Sequence, residues 1–227
     1  QKQNPSISTN LNKNIKIFSE LVGQKLHFPL RFFKGLKVGD IACGTGDLAF
    51  IAAKNGAFVD GYDFNKFSVE YANKTSKIMK LNKAKFYNKE FFEVKKKYDF
   101  IICTAALHHL PNPIKGLKHL TKLVKPKGFL LLSFGVNSSN LQHNLMKLIV
   151  RSWGKTEEKI KFAANHLFKN HIDKCVKFGL RSRASVINDQ FLNKQHDYLN
   201  LKQVFNNLEK EFTLYSLWPS MFLPRAD

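Results

Sequence analysis

No apolar run in the 227-residue chain approaches the roughly 20 residues that a helix needs to cross a bilayer, so no membrane span is expected. Cysteine is scarce too. The three thiols, Cys43, Cys103 and Cys175, are odd in number and far apart, which argues against a disulfide framework or a zinc motif and for a reducing, cytoplasmic setting. The opening residues QKQNPSISTN carry neither an initiator methionine nor an apolar h-region; no export signal is read there, and the chain is expected to be trimmed or part of a longer one. Arginine is the third shortage. Only Arg31, Arg151, Arg181, Arg183 and Arg225 stand among 37 basic residues, against 17 acidic ones and a net charge of +20. So basic a chain makes nucleic acid a candidate partner. Sites that grip phosphates favour the arginine fork, however, and lysine abundant alongside Asn, Phe and Ile is what AT-rich coding produces. A solvated lysine surface is the simpler reading, with Lys95 to Lys97 in a turn before a strand.

What is present is an ordered alternation. Residues 1 to 14 are polar and read as an arm, and Ile15 to Leu26 has the spacing of a cap helix. From Leu36 the chain runs KVGDIAC, LAFIAAKNG, AFVDGYD, SVEYANKTSKIMKLN, AKFYNKE, YDFIICTA, IKGLKHLTKLVKPKG and FLLLSFG, short β-type runs separated by helical ones. Such alternation implies βαβ crossovers and a doubly wound, Rossmann-like α/β fold with a mostly parallel sheet. Past Gly135 the rhythm changes. Leu141 to Trp153 and Thr156 to Asn170 read as helices, Arg181 to Asn200 as an irregular polar stretch, and Leu201 to Glu211 as a final helix leading into the strand FTLYSLW. The expected organisation is an arm and cap over 1–35, an α/β core over 36–135, an inserted helical lid over 136–200, and a last helix and strand over 201–227 that complete the core.

The central signal is Asp40-Ile41-Ala42-Cys43-Gly44-Thr45-Gly46-Asp47, between an apolar strand and a helix. Glycines at such a turn let backbone approach a ligand and aim helix N-terminal N–H groups at an anionic group. Seventeen residues after Gly46 the second strand ends in Asp63, where doubly wound folds place a carboxylate for ribose hydroxyls. The pattern VGDIACGTG with GYD, then YDFIICTAALHHLPNP and KPKGFLLLSF, resembles the ordered motifs of class I S-adenosylmethionine-dependent methyltransferases over about residues 36 to 135. The resemblance implies S-adenosylmethionine as cofactor and S-adenosylhomocysteine as product. By position, Asp40, Ala42, Cys43, Gly44 and Gly46 would line the methionine moiety, and Asp63 with Phe64 would hold the ribose side. Glu90 stands where the family often has an Asp near the adenine amine, Phe91 would pack on the ring, and Thr104 and Ala105 would lie beside the sulfonium.

A nicotinamide dehydrogenase is the rival. It is disfavoured because Ala49 replaces the third glycine of GxGxxG, and because Asp40 and Asp47 would repel a pyrophosphate. On the acceptor side His108 and His109 follow the fourth strand, and either of them, or His196, is a candidate general base. The segment SVINDQFLNKQHDYLN offers Asp189, Gln190, Asn193, His196, Asp197 and Tyr198 for acceptor binding, and Arg181 or Arg183 for an anionic acceptor group. Helix capping is the plainer use of those residues. No metal is expected, since the adjacent His108-His109 pair lacks helical i, i+4 spacing. A small-molecule acceptor methylated on O or N is the leading reading. An RNA or protein methyltransferase and a non-catalytic cofactor-binding domain are the alternatives.

Overall fold

The structure is a computed structural model that describes residues 15–17, 19–135, 141–179, 182–193 and 199–217. Contacts divide the chain into two compact units. One comprises residues 1–107, 114–133 and 202–227, the other 108–113 and 134–201.

The first unit is built on five parallel strands, β1 (Lys37–Ile41), β2 (Phe58–Asp63), β3 (Ala84–Asn88), β4 (Tyr98–Thr104) and β5 (Val124–Ser133), in the order β3-β2-β1-β4-β5. The chain winds outward from β1 to β3, then returns to lay β4 on the other side of β1. That reversal makes the carboxyl ends of β1 and β4 the switch point, where open α/β sheets bind ligands. Helix α1 (Asp47–Lys54) is buried from Leu48 to Ala53, as its unbroken apolar run requires. Helix α2 (Lys66–Ile78) is started by Asn65, whose side chain accepts from Phe67 N at 3.0 Å and Ser68 N at 3.3 Å. Helix α3 (Pro113–Leu123) opens on a proline and stops before Lys125, since the residue preceding Pro126 is disfavoured in helix. It is therefore shorter than the expected run through KPKG, which belongs to β5 and carries the register shift against Tyr98 and Phe100.

Two tight contacts govern the sheet interior. A Cβ on Gly61 would lie 2.4 Å from the Phe86 ring and 3.0 Å from Cys43 Sγ. Phe86 cannot retreat easily, because Asn73 brackets its backbone, donating to Phe86 O at 2.9 Å and accepting from Phe86 N at 3.2 Å. We expect Gly61→Ala to lower the denaturant midpoint, at a cost of about 1–3 kcal/mol for overpacking, with the slope of the transition unchanged.

The final segment departs from the sequence expectation. Helix α8 spans Leu201–Leu208, three residues short of Glu211, and residues 212–217 of FTLYSLW form no strand; Trp218 lies outside the described residues. Side chains, not backbone, tie this segment to the core. Tyr215 packs edge-on against Phe28 and Phe129, each at 6.1 Å, and its hydroxyl donates to His27 O at 3.1 Å.

The second unit is helical: α4 (Leu141–Trp153), α5 (Glu157–Leu167), α6 (Lys169–Gly179) and α7 (Arg183–Ile187), followed by a wide turn over Asn188–Leu192. Its core joins Met146, Val150, Ile160, Ala163, Ile172 and Phe191 with their neighbours. Helix α6 goes beyond the sequence expectation, and much of the stretch expected to be irregular is helical. The turn residues Ser182 and Asn188 act there as the ends of a short helix, with Ser182 Oγ accepting from Ser185 N at 3.1 Å.

Candidate active site

At the carboxyl end of β1 the backbone leaves extended geometry through three positive φ values, 58° at Ala42, 53° at Gly44 and 86° at Gly46. Gly46 N donates to Cys43 O at 2.9 Å and closes the turn, and Gly46 O accepts from Phe50 N at 2.9 Å to start α1. The two glycines serve different needs. A Cβ at Gly44 would meet nothing within 4 Å, so that side of the turn is open to a ligand, whereas one at Gly46 would lie 2.7 Å from Phe86.

Asp63, buried at the end of β2, locks this turn in place. Its Oδ2 accepts from Gly44 N at 2.8 Å and its Oδ1 accepts from Asn65 N at 2.8 Å. Each carboxylate oxygen keeps acceptor capacity beyond these bonds, as paired ribose hydroxyls would need. Asn88 holds the following backbone, donating through Nδ2 to Asp63 O at 3.1 Å and Phe64 O at 2.8 Å, and it leaves the Phe64 ring 70% exposed at the rim. Sequence reasoning does not pick out Asn65 or Asn88. The former had a signal, an Asx residue directly before a helix; the latter had none, because its role arises only from pairing with β2.

Three carboxylates gather around the turn. Burial, partly offset by a backbone hydrogen bond from Ala49 and reinforced by Asp47 and Asp63, pushes the Asp40 carboxyl up to about 8. Burial, aided by Asp40 and Asp63, raises the Cys43 thiol well out of the physiological range, so Cys43 lines the turn as a neutral group. Asp47 accepts from Thr45 Oγ1 at 3.2 Å. An acidic hollow suits a ligand with a sulfonium and an ammonium group and repels a pyrophosphate. The residues present therefore fit S-adenosylmethionine.

Glu90 is exposed and caps the turn Phe91–Glu93 through a reciprocal capping box, while Phe91 is buried against Phe92 and His119. Thr104 ends β4, half-buried, and Ala105 follows with φ 52°, its N–H donating to Ser133 O at 2.8 Å.

Within the helical unit, His109 meets two residues of the polar segment singled out in the sequence. Its Nδ1 lies 3.2 Å from Asn193 Nδ2, and its Nε2 is 3.9 Å from Asp189 Oδ1. An amide nitrogen donates, so Nδ1 accepts and the neutral ring carries its proton on Nε2, facing Asp189. His108 packs beside it, ring centroids 4.1 Å apart and the planes tilted by 49°. Gln190 faces elsewhere. Its Oε1 lies 2.9 Å from His171 Nε2 and its Nε2 donates to Cys175 Sγ at 3.6 Å, joining the wide turn to α6. Arg183 joins helices too, donating to Asn165 Oδ1 at 2.7 Å and pairing with Asp173. Arg181, His196, Asp197 and Tyr198 lie outside the described residues. Among those described, no cluster of three or more His, Cys, Asp or Glu side chains has the arrangement of a metal site.

A family model described as methyltransferase domain matches residues 32–153, more than half of the chain, and the chain belongs to that family, within the class I S-adenosylmethionine-dependent methyltransferases. Among curated proteins it resembles the ubiquinone biosynthesis O-methyltransferase of Coxiella burnetii (strain Dugway 5J108-111), 34% identical over 104 residues that make up 44% of each chain. The protein of the same description from Histophilus somni (strain 2336) is 30% identical over 132 residues, 54% of this chain and 56% of that one. The alignments thus span about half the length of these relatives. Among solved structures, PKMT2 from Rickettsia typhi superposes with a TM-score of 0.63 at 20% identity, covering 84% of this chain and 41% of that one. Its complex with AdoHcy gives 0.61 at 19% identity with the same coverage. These structural likenesses establish the Rossmann-like α/β fold.

Proposed function

We propose that the chain transfers the methyl group of S-adenosylmethionine to a hydroxyl oxygen, or less readily a nitrogen, of a small-molecule acceptor. The observation that carries this reading is the Asp63 carboxylate bonded to Gly44 N–H, which fixes a carboxylate and an open glycine turn together at the switch point of the sheet. When bound, the cofactor supplies an activated methyl on a cationic sulfur. Asp63 would receive the ribose hydroxyls with Phe64 on the ribose side, Asp40 and the Gly44 to Gly46 turn would face the methionine moiety, Phe91 would pack on the adenine with Glu90 near its amine, and Thr104 and Ala105 would border the reacting atoms.

Transfer by in-line displacement asks the protein mainly for alignment, with the acceptor atom about 3–3.5 Å from the methyl carbon. His109 is the proposed base. In its observed state the one lone pair of the neutral ring is used by Asn193, so uptake of a proton requires the acceptor hydroxyl to replace Asn193 at Nδ1. Asp189 stands 3.9 Å from Nε2, on the side of the ring away from Asn193. The names of the curated relatives support an oxygen acceptor, and the free thiols of Cys43, Cys103 and Cys175 support a cytoplasmic setting. Among the described residues no helix is long and apolar enough to cross a membrane.

Calorimetric titration of the folded chain with S-adenosylmethionine and S-adenosylhomocysteine tests the first half. S-adenosylhomocysteine release during incubation with a panel of small hydroxylated acceptors tests the second. Both cofactors are expected to bind, and at least one acceptor to turn over, with turnover down about 100-fold or more in His109→Ala where chemistry limits the rate. Binding without turnover on any acceptor would favour the non-catalytic alternative, and a folded chain that binds neither cofactor would refute the proposal.

A further inference from the structure

Helix α4 uses its apolar residues twice. Met146 and Val150 are buried in the core of the helical unit. The adjoining arc of the same helix carries Leu141, Leu145, Leu148, Ile149 and Trp153, and these are 45% to 68% exposed. At 100° per residue the five fall within about 140° of the circumference, a largely apolar stripe that only Gln142 and Ser152 interrupt. The stripe does not stop at the helix end. The Trp153 ring lies 6.5 Å from His166 of α5, and His166 is stacked on Phe162 at 5.9 Å with the rings 4° apart; Phe162 is itself 64% exposed. Contiguous apolar surface of this extent marks an interaction site, since scattered exposed side chains do not line up along one helix and continue onto the next.

The charges say what kind of surface covers it. Helix α4, LQHNLMKLIVRSW, contains Lys147 and Arg151 and no acidic residue, and exposed Lys155 follows two residues after Trp153. Lys147 is occupied within the fold, donating to Asn193 O at 3.1 Å, which leaves Arg151 and Lys155 as the cations flanking the stripe. An aliphatic arc ending in tryptophan, on a helix that carries cations and no carboxylate, matches the interface of a bilayer that carries anionic headgroups; the exposed Glu157 and Glu158 belong to the first turn of α5, where Lys161 pairs with Glu157 and Lys155 and Lys159 stand nearby in the chain. A second copy of this chain is the poorer occupant, because each copy carries a net charge of +20 and a face-to-face pair would bring like charges together.

We propose that the α4 stripe, continued through Phe162, seats the protein on an anionic membrane surface, with Leu145, Leu148 and Trp153 entering the headgroup boundary and Arg151 and Lys155 meeting lipid phosphates. This goes beyond the methyl-transfer reading and stands independently of it, because vesicle binding is measured without cofactor or acceptor.

The test is flotation of the full chain with phosphatidylglycerol-containing vesicles and with pure phosphatidylcholine vesicles, at low and high salt. Wild-type protein is expected to float with the anionic vesicles and to be released as salt rises. Leu145→Glu combined with Leu148→Glu is expected to weaken partitioning about tenfold or more, and Arg151→Glu or Lys155→Glu about fivefold each at low salt. All four positions are exposed, and circular dichroism checks that the variants fold. In a Trp218→Phe background Trp153 is the sole indole, and its emission is expected to shift to the blue on adding anionic vesicles. Absence of flotation, or equal flotation of wild type and the double-glutamate variant, overturns the proposal. So does a wild-type dimer in sedimentation that the double-glutamate substitution converts to monomer, since the stripe would then be a contact between copies.

Discussion

Asp63→Ala is expected to weaken binding of both S-adenosylmethionine and S-adenosylhomocysteine by about 30-fold to 1000-fold. The size of the effect follows from what the carboxylate does. It accepts from Gly44 N and Asn65 N at 2.8 Å each, and in the proposed complex it also accepts from the ribose. Hydrogen bonds to a charged group contribute about 1.5–3 kcal/mol each, and two such bonds to a ligand, partly replaced by water, leave a loss of about 2–4 kcal/mol. The loss should be nearly equal for the two ligands, because they share the ribose and differ at sulfur. Asp63→Asn does not separate the two jobs. One amide oxygen still accepts while the NH2 group opposes a backbone N–H, so both turn geometry and affinity suffer. Calorimetry on the variants decides the matter, and cofactor affinity unchanged in a folded Asp63→Ala protein would remove Asp63 from the site.

The second large effect concerns pH. Asp40, raised from 3.8 to about 8 mainly by burial, holds its proton more tightly in the folded chain than in the unfolded one. Its contribution to stability is thus unaffected below about pH 4, declines as pH rises through the interval, and reaches its full cost above pH 8. A tenfold difference in proton affinity between the two states corresponds to about 1.4 kcal/mol, so the cost at pH 8 is on the order of a few kcal/mol. Thermal unfolding of the wild type should show a midpoint that falls between about pH 5 and about pH 8, and Asp40→Asn should flatten that slope. Lys147 works in the opposite sense. Burial, followed by the charge of Arg151, lowers its ammonium to about 8, so stability from that group is recovered only between about pH 8 and its ordinary value of 10.5. The windows barely overlap, which makes the neutral range diagnostic for Asp40. A bound sulfonium favours the ionised carboxylate, so adding S-adenosylmethionine should restore stability near pH 8 more than S-adenosylhomocysteine does, and the difference should shrink in Asp40→Asn. A pH-independent midpoint in the wild type would show that Asp40 is not buried as described.

The parallel sheet and the glycine turn were legible because their signals are local. Apolar runs of strand length alternate with amphipathic ones, and Gly44, Gly46 and Asp63 sit at strand ends that sequence alone can locate. What stayed hidden depends on distant pairing. Nothing near Asn73 announces that it will clasp Phe86, and nothing near Gly61 announces the ring beside it. The segment FTLYSLW has β propensity, yet over residues 212–217 its aromatic side chains find the core without its backbone joining the sheet, a tertiary outcome that propensity does not encode. The acceptor region was the least legible. Asp and Asn there serve equally as caps and as ligands, and the structure uses Gln190 and Arg183 to hold helices together while bringing Asp189 and Asn193 to His109.

Asn73 has a consequence for how the sheet can grow. A side-chain amide presents one donor and one acceptor, as a peptide group does, and by offering both to Phe86 it acts as a one-residue substitute for the next strand. The β3 margin is thereby closed at its centre to any extended chain that would dock there, an in-built guard against edge-to-edge stacking. At the other margin β5 has no outer neighbour among the described residues. Growth of the sheet is therefore directional, and a further strand, whatever chain supplies it, has one side on which to join.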